Sequence, residues 1–213
     1  MGSIPAGGTN VKSKYAMKLV VNNHFVLASP SDVHNQYQTP VWEVELQSNT
    51  LELPEFESAL QCEDNFSVSK GHNNPLRSGF GGTGIVADFL ADSQKDFLLD
   101  LVSQSPLFRP RYYMSVDEYQ KRTHWLATIY RDQAGFAMTP HLDNNHVMVQ
   151  MVINLLQDND TATEFHYFNE SAPCYRAPLK KNHGVIFLNT PGAVHSIADV
   201  NKTRWILYGG LVI

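Results

Sequence analysis

Residues 183–213 read HGVIFLNTPGAVHSIADVNKTRWILYGGLVI. Three apolar runs, Gly184 to Leu188, Ala193 to Ile197 and Arg204 to Ile213, are separated by the turn signals Pro191-Gly192 and Asp199 to Lys202. They are rich in β-branched and aromatic residues and carry no helical period, so each reads as a strand. Working back towards the N-terminus, Trp125 to Tyr130, Val147 to Leu156, Thr161 to Phe168 and Tyr175 to Leu179 continue the pattern. Polar breaks lie between them at Asp158-Asn159-Asp160, Asn169 to Pro173 and Lys181 to Gly184. Seven closely spaced strands predict an antiparallel sandwich or barrel.

Further upstream, Val41 to Leu46 alternates with period two and predicts another strand, while Leu19 to Val21 and Phe25 to Leu27 are shorter apolar runs. Residues 54–82 are rich in Asn, Ser and Gly and read as loop. From Ile85 to Val102 the apolar positions recur at three and four residues, predicting an amphipathic helix with a break near Ala91 to Ser93. Ser115 with Glu118 has capping-box spacing and opens a second helix towards Arg122. The expectation is an α+β, mainly β chain: residues 1–14 a mobile leader and 15–213 one domain. Within it, 15–124 form a supporting, substrate-facing region with helices outside the barrel, and 125–213 form the barrel core.

Composition excludes several classes. Of 213 residues, 43% are hydrophobic and 17% charged, enough apolar material for a core, so disorder is no global description. Sixteen Lys and Arg against 21 Asp and Glu give a net charge of -5 without a basic block, which argues against a nucleic-acid partner. Met17 to Val21 is far too short to span a bilayer, so no membrane association is expected. Cys62 and Cys174 stand apart from each other and from any metal-ligand cluster, pointing to a reducing, cytoplasmic setting. The nine histidines are the unusual feature.

Gly79 to Gly84 matches GxGxxG, but no strand precedes it and no parallel βαβ pattern follows, so a dinucleotide site is not supported. Pro140-His141-Leu142-Asp143 is more informative. On an extended segment His141 and Asp143 point to one side and Leu142 to the other, the geometry of two adjacent metal ligands. His195, on an apolar alternating run, needs a partner on its buried side. Two imidazoles and one carboxylate with open positions suit non-haem Fe(II) and O2. If Asp199 to Lys202 closed a tight hairpin, His195 would oppose Ile206 and Ile197 would oppose Arg204. Arg204 would then lie diagonally from His195, roughly 7–8 Å away, where a dicarboxylate could bridge metal and guanidinium.

The order Tyr130, Gly135, His141, Asp143, His195 and Arg204 resembles the Fe(II)- and 2-oxoglutarate-dependent oxygenases, in particular prolyl-hydroxylase-like members, over residues 125–213. The resemblance implies a double-stranded β-helix, a jelly-roll barrel, in agreement with the strands read above. It implies that His141, Asp143 and His195 hold Fe(II) and that Arg204 holds the distal carboxylate of 2-oxoglutarate. Tyr130 and Asn154 match more loosely as further cosubstrate contacts. The implied activity is that of a dioxygenase, hydroxylating a C–H bond of a small-molecule or amino-acid-type substrate with release of succinate and CO2.

The chain departs from that pattern in places. Asp160 to Phe165 keeps the Thr and Phe of the Gly-Gly-x-Thr-x-Phe type segment but lacks its glycines, and the distal residue is Arg where prolyl hydroxylases use Lys. Asp143 leaves no open site for chloride, which favours hydroxylation over halogenation. His146 is the competing ligand, His166 is expected on the barrel surface, and His183 belongs to the Lys180 to Gly184 turn. Val149, Ile153, Phe187 and Leu207 are read mainly as core. Arg77, Arg109 and Arg111 are either contacts for an anionic substrate group or solvated loop charges. Two alternatives stand: a non-catalytic cupin-like binding module, and a non-haem iron oxygenase that does not use 2-oxoglutarate. The sequence leaves the oligomeric state open.

Overall fold

A computed structural model of the chain describes residues 17–32, 37–48, 54–68, 74–80, 92–104, 121 and 124–212. The N-terminal part contributes β1 (Met17–Leu27), β2 (Thr39–Ser48), α1 (Pro54–Gln61), β3 (Phe66–Val68), β4 (Arg77–Phe80) and α2 (Asp92–Ser103). The C-terminal part contributes β5 (His124–Asp132), β6 (Met138–His141), β7 (Val147–Leu155) and β8 (Thr163–His166), then β9 (Pro173–Arg176), β10 (His183–Leu188), β11 (His195–Ile197) and β12 (Arg204–Val212). One sheet has the order β1-β2-β10-β7-β12-β5-β4-β3, and a second has the order β6-β11-β8-β9. The pairings within both are antiparallel. Two facing antiparallel sheets make the expected jelly roll.

Strand β7 shows how composition sets this arrangement. Its sequence VMVQMVINL is buried on both faces except at its first residue. The odd positions Val149, Met151, Ile153 and Leu155 join a core with Phe56 and Leu60 of α1 and Leu98, Leu99 and Val102 of α2. Helices thus pad the outer face of the large sheet, each fully buried Leu or Phe contributing about 1.5–3 kcal/mol. The Trp205 indole donates to the Leu60 carbonyl at 2.8 Å, tying α1 to β12. The inner face carries a second core of Val41, Val185 and Phe187, meeting Phe165 of the small sheet. Gly184 is required where β10 crosses β7, since a Cβ there would lie 1.9 Å from the Val152 carbonyl oxygen.

The structure revises several sequence expectations. Residues 54–82 are not simply loop: α1, β3 and β4 lie within them. The two short N-terminal runs are one strand, β1, with a bulge between Val21 and Asn23. A strand missed by the sequence reading, β6, carries the His141 motif; its four residues include Thr139 and Pro140, both exposed, which hid any apolar alternation. Of the helix expected from Ile85 to Val102, Asp92 onwards is described and is helical, while residues 81–91 lie outside the described residues, as do the leader, most of the Ser115 to Arg122 segment, Arg109 and Arg111.

The largest revision concerns β11 and β12. They do not form a hairpin: β11 pairs with β6 and β8, and β12 pairs with β5 and β7 in the other sheet. The Asp199 to Lys202 segment crosses between sheets, so the expected register of His195 against Ile206 does not occur. His195 lies directly opposite His141 instead.

Candidate active site

Within the small sheet, register brings the two imidazoles together. His141 ends β6 and His195 begins β11, and their ring centroids are 4.5 Å apart. Asp143 follows two residues after His141 and its carboxylate joins the same cluster, while Leu142 between them is exposed and also borders the cavity. The turn into β6 depends on Gly135, whose φ of +87° suits glycine and whose N–H donates to the Val200 carbonyl at 2.8 Å.

Ligand atoms of His141, Asp143 and His195 all lie within 4.8 Å of one another. The His141 Nδ1–H donates to the Thr139 carbonyl at 2.8 Å, and the His195 Nδ1–H donates to the Ala193 carbonyl at 2.9 Å. A carbonyl can only accept, so both rings carry a proton on Nδ1, which leaves Nε2 as the nitrogen available at the common point. The His195 Nε2 stands 3.8 Å from Asp143 Oδ2, too long for a hydrogen bond. Asp143 Oδ2 is buried and has no hydrogen-bond partner, which would be unfavourable without a cation. This donor set fits a divalent transition metal ion. Burial against Phe165 and Phe187 pushes the His195 imidazole below its ordinary pKa, the Asp143 carboxylate opposing that shift. A neutral ring is the form that binds metal. The backbone around Asp143 is pinned by Asn189, whose amide donates to the carbonyls of Val147 (2.9 Å), Asn144 (3.2 Å) and Asp143 (3.4 Å).

His146 is exposed in the turn before β7 and is not part of this cluster. His166, expected on the surface, is 4% exposed, with Nε2 2.7 Å from the Ser196 hydroxyl. His183 does belong to its turn, its Nδ1–H donating to the Lys181 carbonyl. Val149, Ile153, Phe187 and Leu207 are buried in the cores.

His141, Asp143 and His195 open into a cavity of about 280 Å³ between the sheets. Besides the three ligands, its walls include Thr163, Ile197, Ile206, Tyr208, Met138 and Arg77. A shallower groove of about 290 Å³, lined by Asn74, Phe136 and Thr139, adjoins it at Met138 and His141. Burial raises the pKa of the Tyr208 phenol, and the negative charge of Asp143 adds to the effect, so Tyr208 stays protonated.

Arg204 is 1% exposed and is not among the residues that line the cavity. Its Nε–H donates to Asp132 Oδ2 at 2.9 Å and its Nη1 to the Thr161 carbonyl at 3.3 Å, while Nη2 is buried without a partner. The sequence reading missed Asp132 and took Arg77 for a contact near the mouth or a solvated charge. Both are buried: Asp132 is 0% and Arg77 2% exposed. Arg77 binds Asp132 with Nε at 2.6 Å and Nη2 at 2.8 Å and lies over the rings of Tyr130 and Phe136. Tyr130 therefore packs on Arg77 and against Tyr208. Asn154 lies on the inner face opposite Ile206, but its amide is engaged: it donates to the Pro178 and Lys180 carbonyls and accepts from Asn159. A signal for Asp132 was present, since it shares the inward parity of Tyr130 on a strand, and a buried carboxylate needs a cation.

Neither a family profile nor a curated protein matches the sequence. Among solved structures, a Trichoplax adhaerens prolyl hydroxylase in complex with a hypoxia-inducible-factor oxygen-degradation-domain peptide superposes with a TM-score of 0.54 at 10% identity. The match covers 77% of this chain and 79% of that one. The chain has a double-stranded β-helix fold like that of this structure. A Pseudomonas putida prolyl-4-hydroxylase matches with a TM-score of 0.49 at 14% identity over 76% of this chain and 85% of that one. A Burkholderia pseudomallei oxidoreductase of the 2OG-Fe(II) oxygenase family matches with a TM-score of 0.30 at 19% identity over 55% and 57%. The His-Asp-His cluster lies between the two sheets, on β6, the segment after it and β11. Among the described residues no helix is long and apolar enough to cross a membrane.

Proposed function

We propose that the protein is an Fe(II)- and 2-oxoglutarate-dependent dioxygenase that hydroxylates a C–H bond of a small-molecule or amino-acid-type substrate, releasing succinate and CO2. The observation that carries this reading is the ligand cluster: two imidazoles locked with Nε2 inward and one buried carboxylate oxygen without a partner. His141, Asp143 and His195 would hold the metal and Arg204 the distal carboxylate of 2-oxoglutarate. When bound, the metal and 2-oxoglutarate together supply activation of O2 for C–H oxidation. The chain's own contribution is to fix three ligands in a metal-binding tautomer, to offer the cationic charge of Arg77 at the cavity wall with Arg204 beside it, and to exclude water with Ile197, Ile206 and Thr163. Tyr130 stiffens the cationic end by packing on Arg77, and Asn154 braces the 178–180 turn behind it. The groove beside His141 offers a way in for the substrate, which in the Trichoplax adhaerens neighbour is a peptide.

Anaerobic titration with Fe(II), with and without 2-oxoglutarate, tests the reading. A weak visible charge-transfer band that needs both components, and that is absent in His141→Ala, is expected. Iron binding without a band would favour an oxygenase that uses no 2-oxoglutarate, and absence of iron binding in folded protein would favour the cupin-like binding module.

A further inference from the structure

The cross-strand register places three charges in one row: Arg204 lies opposite Asp132 on β5, and Asp132 lies opposite Arg77 on β4. Directly opposed residues on neighbouring strands point to the same side, here towards the space between the sheets. Asp132 Oδ2 accepts from both guanidinium groups, from Arg77 at 2.8 Å and Arg204 at 2.9 Å. Two buried cations therefore share one buried carboxylate. The row carries one uncompensated positive charge, and Asp160, whose field also reaches Arg204, is exposed to solvent. Burying such a charge without a counterion is strongly unfavourable.

Two donor groups remain for an anion. Among the described residues Arg204 Nη2, which is buried, has no hydrogen-bond partner. Arg77 lines the cavity, and among the described residues its Nη1 has the Met138 sulfur at 3.5 Å, a weak acceptor. Its guanidinium is held over Tyr130 at 4.8 Å and Phe136 at 4.3 Å, so its orientation is set before any ligand arrives.

We propose that Arg77 and Arg204, held side by side by Asp132, form a double-guanidinium seat for a single carboxylate, the distal carboxylate of the 2-oxo acid cosubstrate. This rests on the function proposed above and adds a binding residue from β4, outside the barrel strands. The seat selects a dicarboxylic over a monocarboxylic 2-oxo acid, and it couples cosubstrate binding to the docking of β4 on β5.

Calorimetric titration of the full chain with Mn(II), which holds the site without turnover, tests this using 2-oxoglutarate and 2-oxobutyrate, the latter lacking the distal carboxylate. Wild type is expected to bind 2-oxoglutarate much more tightly. Arg77→Gln should weaken 2-oxoglutarate by about 10- to 100-fold, the loss of one charge-assisted contact, and leave 2-oxobutyrate unchanged. Arg77→Lys keeps the charge and supplies the measurement if the Gln variant does not fold; an intermediate loss confined to 2-oxoglutarate is expected. A folded Arg77 variant that binds 2-oxoglutarate like wild type, or loses both acids equally, overturns the seat while leaving the proposed function intact. Wild type that binds neither acid, or fails to discriminate between them, overturns both.

Discussion

Asp132→Asn isolates the charge at the centre of the buried row with almost no change of shape. In the native protein the carboxylate accepts three hydrogen bonds from guanidinium groups, at 2.6, 2.8 and 2.9 Å, and none of the three side chains is more than 2% exposed. An amide at the same place presents one oxygen and one NH2 group, so at least one guanidinium N–H must face a donor. Two like charges are then left in the interior without a counterion. Breaking a buried ion pair by removing one partner costs about 3–5 kcal/mol, which for a chain of this length lowers Tm by roughly 6–20 °C. Urea and thermal unfolding of the metal-free protein, with exposed Asp199→Asn as control, measure it. Adding Arg77→Met to Asp132→Asn removes one of the unpaired charges and should restore part of the loss. The reasoning is refuted if Asp132→Asn costs less than about 1 kcal/mol, or if the double variant is less stable than the single, because either result means that charge pairing is not what Asp132 supplies.

Two smaller perturbations address the ligand cluster. Asn189→Ala removes the amide that holds the carbonyls of Asp143, Asn144 and Val147; metal affinity, read by titration with Mn(II), is expected to fall about tenfold, and unchanged affinity in a folded variant would show that the Asp143 loop is set by other contacts. For pH, burial lowers the His195 pKa from its ordinary 6.5. The unfolded ring therefore takes up a proton before the native one, and the stability this neutral ring contributes is present above about pH 6.5 and is lost as the pH falls below it. The stability difference between metal-free wild type and His195→Gln should accordingly shrink from pH 8 to pH 5, and a difference that stays constant or grows would show that the native ring does not resist protonation.

Legibility in the sequence followed the range of the interactions. Period-two reading placed His141 and Asp143 on one face, because that relation spans two residues and depends on nothing else. The strands β7, β10 and β12 were visible because buried strands must be apolar. What failed was pairing. A hairpin between β11 and β12 is the economical guess for strands joined by the short turn-like segment Asp199 to Lys202, yet β10, β11 and β12 alternate between the two sheets, and local turn residues do not encode that choice. His195 and Arg204 still face a common interior, but across a sandwich and not along a ladder.

The buried row shows the same limit more sharply. Arg77 and Asp132 are 55 residues apart, and Asp132 and Arg204 are 72 apart. Residues 54–82 had too little periodicity to reveal β4, whose four residues Arg77, Ser78, Gly79 and Phe80 include one glycine and only one apolar side chain. Such a strand is held by its neighbours and not by its own propensity. Asp132 was the readable clue, because an inward carboxylate on a core strand needs a cation, and Arg204 alone would have satisfied it. A second arginine over-satisfies it. That surplus of one positive charge, visible only once three strands are set side by side, is the physical reason to look for an anion beside Arg77 in the cavity.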